Sequence, residues 1–275
     1  MGALQQKAAA LRLQVMETAL AAGKGHVPPA FSWMEIGVAL FHGGVLRLRP
    51  DDPTWGARDR FILSKGHGCL TLYALLADLG FFPSSELATF TRDGSRLAGH
   101  PDPLLPGVEV VSGSLGHGLG LAAGLALSAR HDGADWITAT VLGDGECHEG
   151  SIWEAAAFAS HHRLGNLLTI VDRNRLGATT STERSSALEP FADRWRTLGW
   201  DVREVDGHDI AALQEACDGL PRGRSGPPRV LIAETIKGKG VSFMESSESW
   251  HHRMPRGSEI DEARSQLVHA LEGAT

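Results

Sequence analysis

The sequence predicts an α/β fold: a parallel β-sheet flanked by helices on both faces. Three observations carry this. The apolar-rich runs "WITATVL" (136–142) and "NLLTIVD" (166–172) are the clearest strands. A helical segment lies between them. The same alternation recurs as "WDVREV" (200–205), a helix over 210–218 and "PRVLIAET" (228–235).

Residues 3–22 read as an opening helix, and 33–42 as a second. A loop around Pro50, Asp51, Asp52 and Pro53 precedes the short apolar run 60–64, which reads as a strand. Residues 69–81 have helical periodicity, and Ser84 or Ser85 is placed to cap a short helix near "SELATF". "GVEVV" (107–111) reads as a further strand, followed by a glycine-rich helix in which Gly116, Gly120 and Gly124 share one face. Ser151 and Glu154 fit a capping box at the start of the helix between the two clearest strands. "LPRGRSGPP" (220–228) is a surface connection. There is no internal repeat and no domain boundary, so 1–275 reads as one domain.

Composition excludes several function classes. The net charge of -7 gives no reason to expect nucleic acid or an anionic membrane. No apolar run approaches a membrane span, and the N-terminus lacks a signal-peptide layout. Cys69, Cys147 and Cys217 have no metal-type spacing and leave an odd thiol, which points to a reducing, cytoplasmic setting.

The chemistry concentrates in "GDGECHEG" (143–150). Ligands of open parallel sheets bind beyond the carboxyl ends of strands, and Asp144 stands at such an end. Gly143 and Gly145 allow close approach of a ligand to the backbone, and the helix start beyond them favours an anion. A carboxylate beside an anion needs a cation between them, and Mg2+ takes oxygen ligands from both. Asn174, 30 residues on at the next strand end, is suited to be a neutral second ligand. The carbonyl of Leu176 is placed to add a third.

"GDGECHEG" followed by "DRNRL" resembles the thiamine diphosphate-binding motif in its transketolase form. "GKGH" (23–26), "LSKGHG" (63–68), "AGHPD" (98–102), "SGSLGHGLGLAAGLAL" (112–127), "ETIKGKGVSFME" (234–245) and "WHHRMP" (250–255) resemble transketolase signatures in the same order, over nearly the whole chain. The resemblance implies the diphosphate-binding domain of the thiamine diphosphate-binding fold. It implies thiamine diphosphate and Mg2+ as cofactors, with Ca2+ or Mn2+ able to substitute. Asp144, Asn174 and the Leu176 carbonyl would hold the metal. Gly143, Gly145, His67 and His251 would meet the diphosphate, with His251 chosen over His252 as the residue directly after Trp250. Gly113, Leu115, Gly116 and His117 would form the turn around the cofactor, with His117 where the family often has glutamine. His26 and His100 would contact the donor sugar and assist proton transfer. Glu149 has two readings: a first-turn helix glutamate, or an interface residue linking paired active sites. Lys237 and Lys239 would either order over the cofactor or serve only solubility. His42, His131, His208 and His269, the pair His161 and His162, and Cys147 receive no function.

In the family the activating glutamate lies on a pyrimidine-binding domain, which this chain does not resemble. The expected enzyme is therefore split, with that domain on a separate, C-terminal-type subunit. The active sites would lie between the two chains. The expected reaction moves a two-carbon ketol unit from a ketose donor to an aldehyde acceptor. Competing readings are a subunit of a 2-oxo acid dehydrogenase or a deoxyxylulose phosphate synthase-type enzyme, a non-catalytic scaffold, and an NAD-dependent dehydrogenase. The last rests on "GHGLGLAAG" (116–124), whose GxGxxxG spacing is not the dinucleotide fingerprint.

Overall fold

A computed structural model describes residues 2–273. Five strands form one wholly parallel sheet in the order β1-β2-β3-β5-β4. They are β1 (Arg60–Leu63), β2 (Thr138–Gly143), β3 (Leu167–Arg173), β4 (Asp201–Asp206) and β5 (Arg229–Glu234). The helices are α1 (Ala3–Ala22), α2 (Val27–Ser32), α3 (Met34–Phe41), α4 (Cys69–Leu79), α5 (Gly118–His131), α6 (Gly150–His161), α7 (Thr182–Ser185), α8 (Phe191–Thr197), α9 (Ile210–Cys217) and α10 (Ser258–Glu272).

Strand side chains alternate between two apolar cores, the period-two consequence of the pleat. Phe61, Leu63, Ala139, Val141, Leu168, Ile170, Leu231 and Ala233 face one core, with α1, α3, α4 and α9. Ile62, Leu142, Leu167, Val171, Val230 and Ile232 face the other, with α5, α6 and α8. The sheet is thus buried from both sides, the strand threonines Thr138, Thr140 and Thr169 included. Only β4, at the edge, carries a half-exposed pattern.

Three local readings are corrected. Residues 107–111 form no strand. Glu109 is drawn into an ion pair with Arg58, and Val111 is 67% exposed, so the apolar residues of this segment do not share a buried face. Ser151 does not cap α6. That helix begins at Gly150 with Glu149 in the cap position, and the Ser151 hydroxyl donates instead to the Gly116 carbonyl at 2.9 Å. Gly116 also lies outside the helix, at φ 87° in the preceding turn, so only Gly120 and Gly124 belong to the α5 face.

Two helices have weak sequence signals. α2 contains Pro28 and Pro29, which its first turn tolerates because those amides have no helical acceptor. α10 buries only Ala263 and Leu267, too thin a stripe to announce a helix.

Candidate active site

Four adjacent strands, β1, β2, β3 and β5, end on one side of the sheet. Beyond them lies a cavity of about 420 Å3, lined by Lys65, His67, Gly113, Leu115, Gly143, Asp144, Gly145, Asn174, Leu176, Lys237 and His251 among others. Parallel pairing brings these ends together, since Gly143 is in register with Asp172 and Arg173 with Glu234.

Asp144 is 1% exposed. Its Oδ1 accepts from the Gly145 amide at 2.7 Å, and its Oδ2 from the Arg175 amide at 2.5 Å and from Arg173 at 3.3 Å. Burial, then the nearby charge of Asp172, raises its pKa to about 6 against the pull of Arg173 and those amides. A carboxylate so desolvated gains from a cation. The Asn174 amide donates to Ser32 Oγ at 3.0 Å, while its oxygen accepts from the Leu176 amide at 3.1 Å. Lys237 Nζ sits 2.7 Å from the Gly177 carbonyl and 3.4 Å from that of Leu176. Burial first, then Lys65, lowers the Lys237 pKa to about 8. A carboxylate, an amide oxygen and a carbonyl thus line one cavity, and an ammonium already rests on the carbonyl. This hard-oxygen set fits a divalent cation of the Mg2+ class.

In the cavity wall, Lys65 donates to Asp172 and, at 3.0 Å, to the Pro29 carbonyl. Both charged side chains are buried, at 2% and 0% exposure. Asp172 also accepts from Ser32 at 2.6 Å and from Thr235. Burial pushes its pKa up, but Lys65 and the two hydroxyls outweigh that and hold it below the ordinary value. Ser32 Oγ, bridging Asp172 to Asn174, carries this ion pair's order into the cavity wall.

The motif histidines converge. The His26 ring lies 5.7 Å from His67, 5.6 Å from His251 and 6.4 Å from His100. His252 lies 4.6 Å from His26, so it joins the same cluster. Burial leads in lowering each of the four motif histidines: His26 to about 4, His251 to about 3, and His67 and His100 below their ordinary range. Neighbouring charges add to the effect at His26, His67 and His251. The four are neutral imidazoles at neutral pH, each able to accept a hydrogen bond on one ring nitrogen and donate one from the other.

The glycine turn is held by a residue that the sequence reading passed over. Glu146, buried, takes hydrogen bonds from Ser64, from the Gly116 amide at 2.8 Å and from the Gly143 amide at 3.1 Å. It ties the 112–118 turn to the end of β2. Gly113 and Leu115 reach the cavity, whereas Gly116 lies behind it against Ser151 and Glu149. His117 is exposed, and its Nδ1 lies 3.1 Å from the Leu115 carbonyl. Glu149 is exposed at the α6 start. Lys65, Asp172 and Arg173 were missed as well. Each is a charged residue at the end of a parallel strand, which is the signal that could have found them. Ser32 offers none.

A family model described as "Transketolase, thiamine diphosphate binding domain" matches residues 4–272. The chain belongs to the transketolase family. It is 39% identical over 261 residues to one subunit of an apulose-4-phosphate transketolase from Phocaeicola vulgatus, covering 95% of this chain and 92% of that protein. It is also 39% identical over 250 residues to a 6-deoxy-6-sulfo-D-fructose transketolase subunit from a Clostridium species, covering 90% of each. A Pichia stipitis transketolase mutant superposes with a TM-score of 0.89 at 30% identity, over 97% of this chain but 41% of that one. This transketolase domain therefore matches relatives called subunits along most of their length, and spans about two fifths of the solved transketolase chain. The five-stranded fold is the thiamine diphosphate-binding α/β domain of that family.

Proposed function

We propose that this chain is the diphosphate-binding subunit of a two-chain transketolase, which moves a two-carbon ketol unit from a ketose donor to an aldehyde acceptor. The observation that carries it is the convergence, at four strand ends, of the Asp144–Asn174–Leu176 oxygen set with the cluster of four neutral motif histidines. An oxygen set alone serves many phosphate ligands. The imidazole wall beside it suits hydroxylated substrates and proton transfer.

In this reading Asp144, Asn174 and the Leu176 carbonyl hold Mg2+, with Ca2+ or Mn2+ able to replace it. The amides around Gly143 and Gly145, with His67 and His251, receive the diphosphate. Lys237 lies close enough to join them. Gly113, Leu115, Gly116 and His117 shape the turn beside the cofactor. Thiamine diphosphate, when bound, supplies the carbon centre that accepts the ketol group. His26 and His100 bind donor hydroxyls, and as neutral bases they take and return a proton. Glu149, exposed at the α6 start, belongs to the subunit interface.

The partner would bring the pyrimidine-binding domain and its activating glutamate. The surface supports such a partner. Leu121 is 45% and Phe158 42% exposed, on the packed helices α5 and α6, with Gly120 and Gly124 bare beside them. Exposed apolar side chains of this kind fit a subunit contact. Cytoplasmic residence fits three buried cysteines that are all free thiols. The test is ketol transfer assayed on the chain alone and on the chain with its co-expressed partner. Activity only in the mixture is expected. Full activity of the chain alone would overturn the two-chain reading.

A further inference from the structure

We infer that His208 is a positioning residue, which fixes the segment that delivers Lys237 into the cofactor cavity. The inference rests on the reading that this cavity binds thiamine diphosphate. His208 follows β4 and nothing in the sequence marks it. In the fold its Nδ1 lies 2.9 Å from Glu35 Oε2, and its Nε2 lies 2.8 Å from the backbone nitrogen of Ile236. An amide N–H can only donate, so Nε2 is the unprotonated nitrogen and Nδ1 donates to the carboxylate. Glu35 is held in turn by Arg12, with both carboxylate oxygens 2.8 Å from Nη2. The three side chains are 14%, 7% and 8% exposed. This relay joins α1, α3, the turn after β4 and the exit of β5.

His208 anchors the exit of β5 at Ile236, ahead of the bonds that the Lys237 carbonyl takes from the Ser246 amide at 2.9 Å and the Gly238 amide gives to the Pro28 carbonyl at 3.1 Å. Strand pairing ends with Asp206 opposite Glu234, and the Thr235 amide makes one last bond to the Arg173 carbonyl at 3.1 Å. Ile236 is the first residue off the ladder, and its amide is the one His208 accepts. Lys237 follows directly. Its ammonium lies 2.7 Å from both the Gly177 carbonyl and His251 Nδ1. A shift of the Ile236 backbone would be passed to that ammonium through a single residue.

Two amide variants separate the halves of the relay. The side-chain nitrogen and oxygen of asparagine reach the place of Nδ1, so His208→Asn keeps the Glu35 bond and loses the acceptor for Ile236. Glutamine reaches the place of Nε2, so His208→Gln keeps that acceptor and loses the Glu35 bond. Thiamine diphosphate affinity would be measured by calorimetry in Mg2+ on the protein with its partner subunit. Thermal melting of the cofactor-free protein would be measured alongside, with hydrogen exchange at the Ile236 amide.

His208→Asn is expected to weaken cofactor binding about tenfold and to speed Ile236 exchange, whereas His208→Gln stays within about twofold of wild type. Equal affinities in the two variants, whether both intact or both weakened with the melting temperature, overturn the relay. A wild-type protein that binds no thiamine diphosphate overturns the site reading and the inference with it.

Discussion

Lys65→Met is the substitution whose outcome the structure specifies most fully. Methionine nearly matches the lysine stem in volume, so the change removes a charge and little packing. What stays behind is the Asp172 carboxylate, 0% exposed, with only the Ser32 and Thr235 hydroxyls donating to it. Removing one partner of a buried ion pair costs about 3–5 kcal/mol, because the other charge is left without compensation. Asp172 can relieve this by binding a proton, so its pKa must rise in the variant. The deficit is then full above that raised value and shrinks as pH falls below it toward the value of the unfolded carboxyl. In the double variant Lys65→Met with Asp172→Asn the charge is gone and the hydroxyl bonds remain possible. Most of the loss should return, a coupling of about 2 kcal/mol or more. The assay is urea unfolding of the cofactor-free chain at pH 7 and pH 5 for wild type, single and double variants. A single-variant loss below about 1 kcal/mol, or a double variant as unstable as the single, would refute the reasoning.

Gly116→Ala should destabilise the domain by about 2–4 kcal/mol, since φ is 87° and the new methyl would stand 2.5 Å from Ser151 Oγ. A calorimetric melting temperature equal to wild type would contradict this. The folded pKa of His26 is about 4 and that of His251 about 3, both below the ordinary 6.5. Their stabilising contribution is complete above pH 6.5 and is lost as pH falls through those folded values. Unfolding midpoints of the cofactor-free domain should therefore decline from pH 7 to 4, and a flat profile would count against the buried imidazole cluster. Phe158→Asp should change the isolated chain's unfolding free energy by no more than about 1 kcal/mol but abolish co-elution with the partner subunit. Retained co-elution would move the interface elsewhere.

The sheet was legible because 136–142 and 166–172 are short, rich in branched and apolar residues, and polar in their interiors only at threonines, which suit strands. Segment 107–111 has the same look, but a charge that finds a partner outside the sheet, Glu109 with Arg58, turned it into a loop. The cavity's principal side chains, Asp144, Asn174, His67 and His251, were legible through motif and position. What escaped was the scaffolding behind them. Lys65, Asp172, Glu146 and Ser32 act largely through contacts distant in sequence, such as Ser64 with Glu146, 82 positions apart, and Asn174 with Ser32, 142 apart, and no local pattern encodes those. His208 is the extreme case, since its partners Glu35 and Ile236 lie on different elements.

The central claim is that this domain works as one half of a thiamine diphosphate enzyme. The most direct test is a native mass spectrum of the tagged chain purified from its own cells. The account predicts a complex containing a second, different chain, with thiamine diphosphate and a divalent cation retained. A lone chain or a homodimer that carries no cofactor would contradict it.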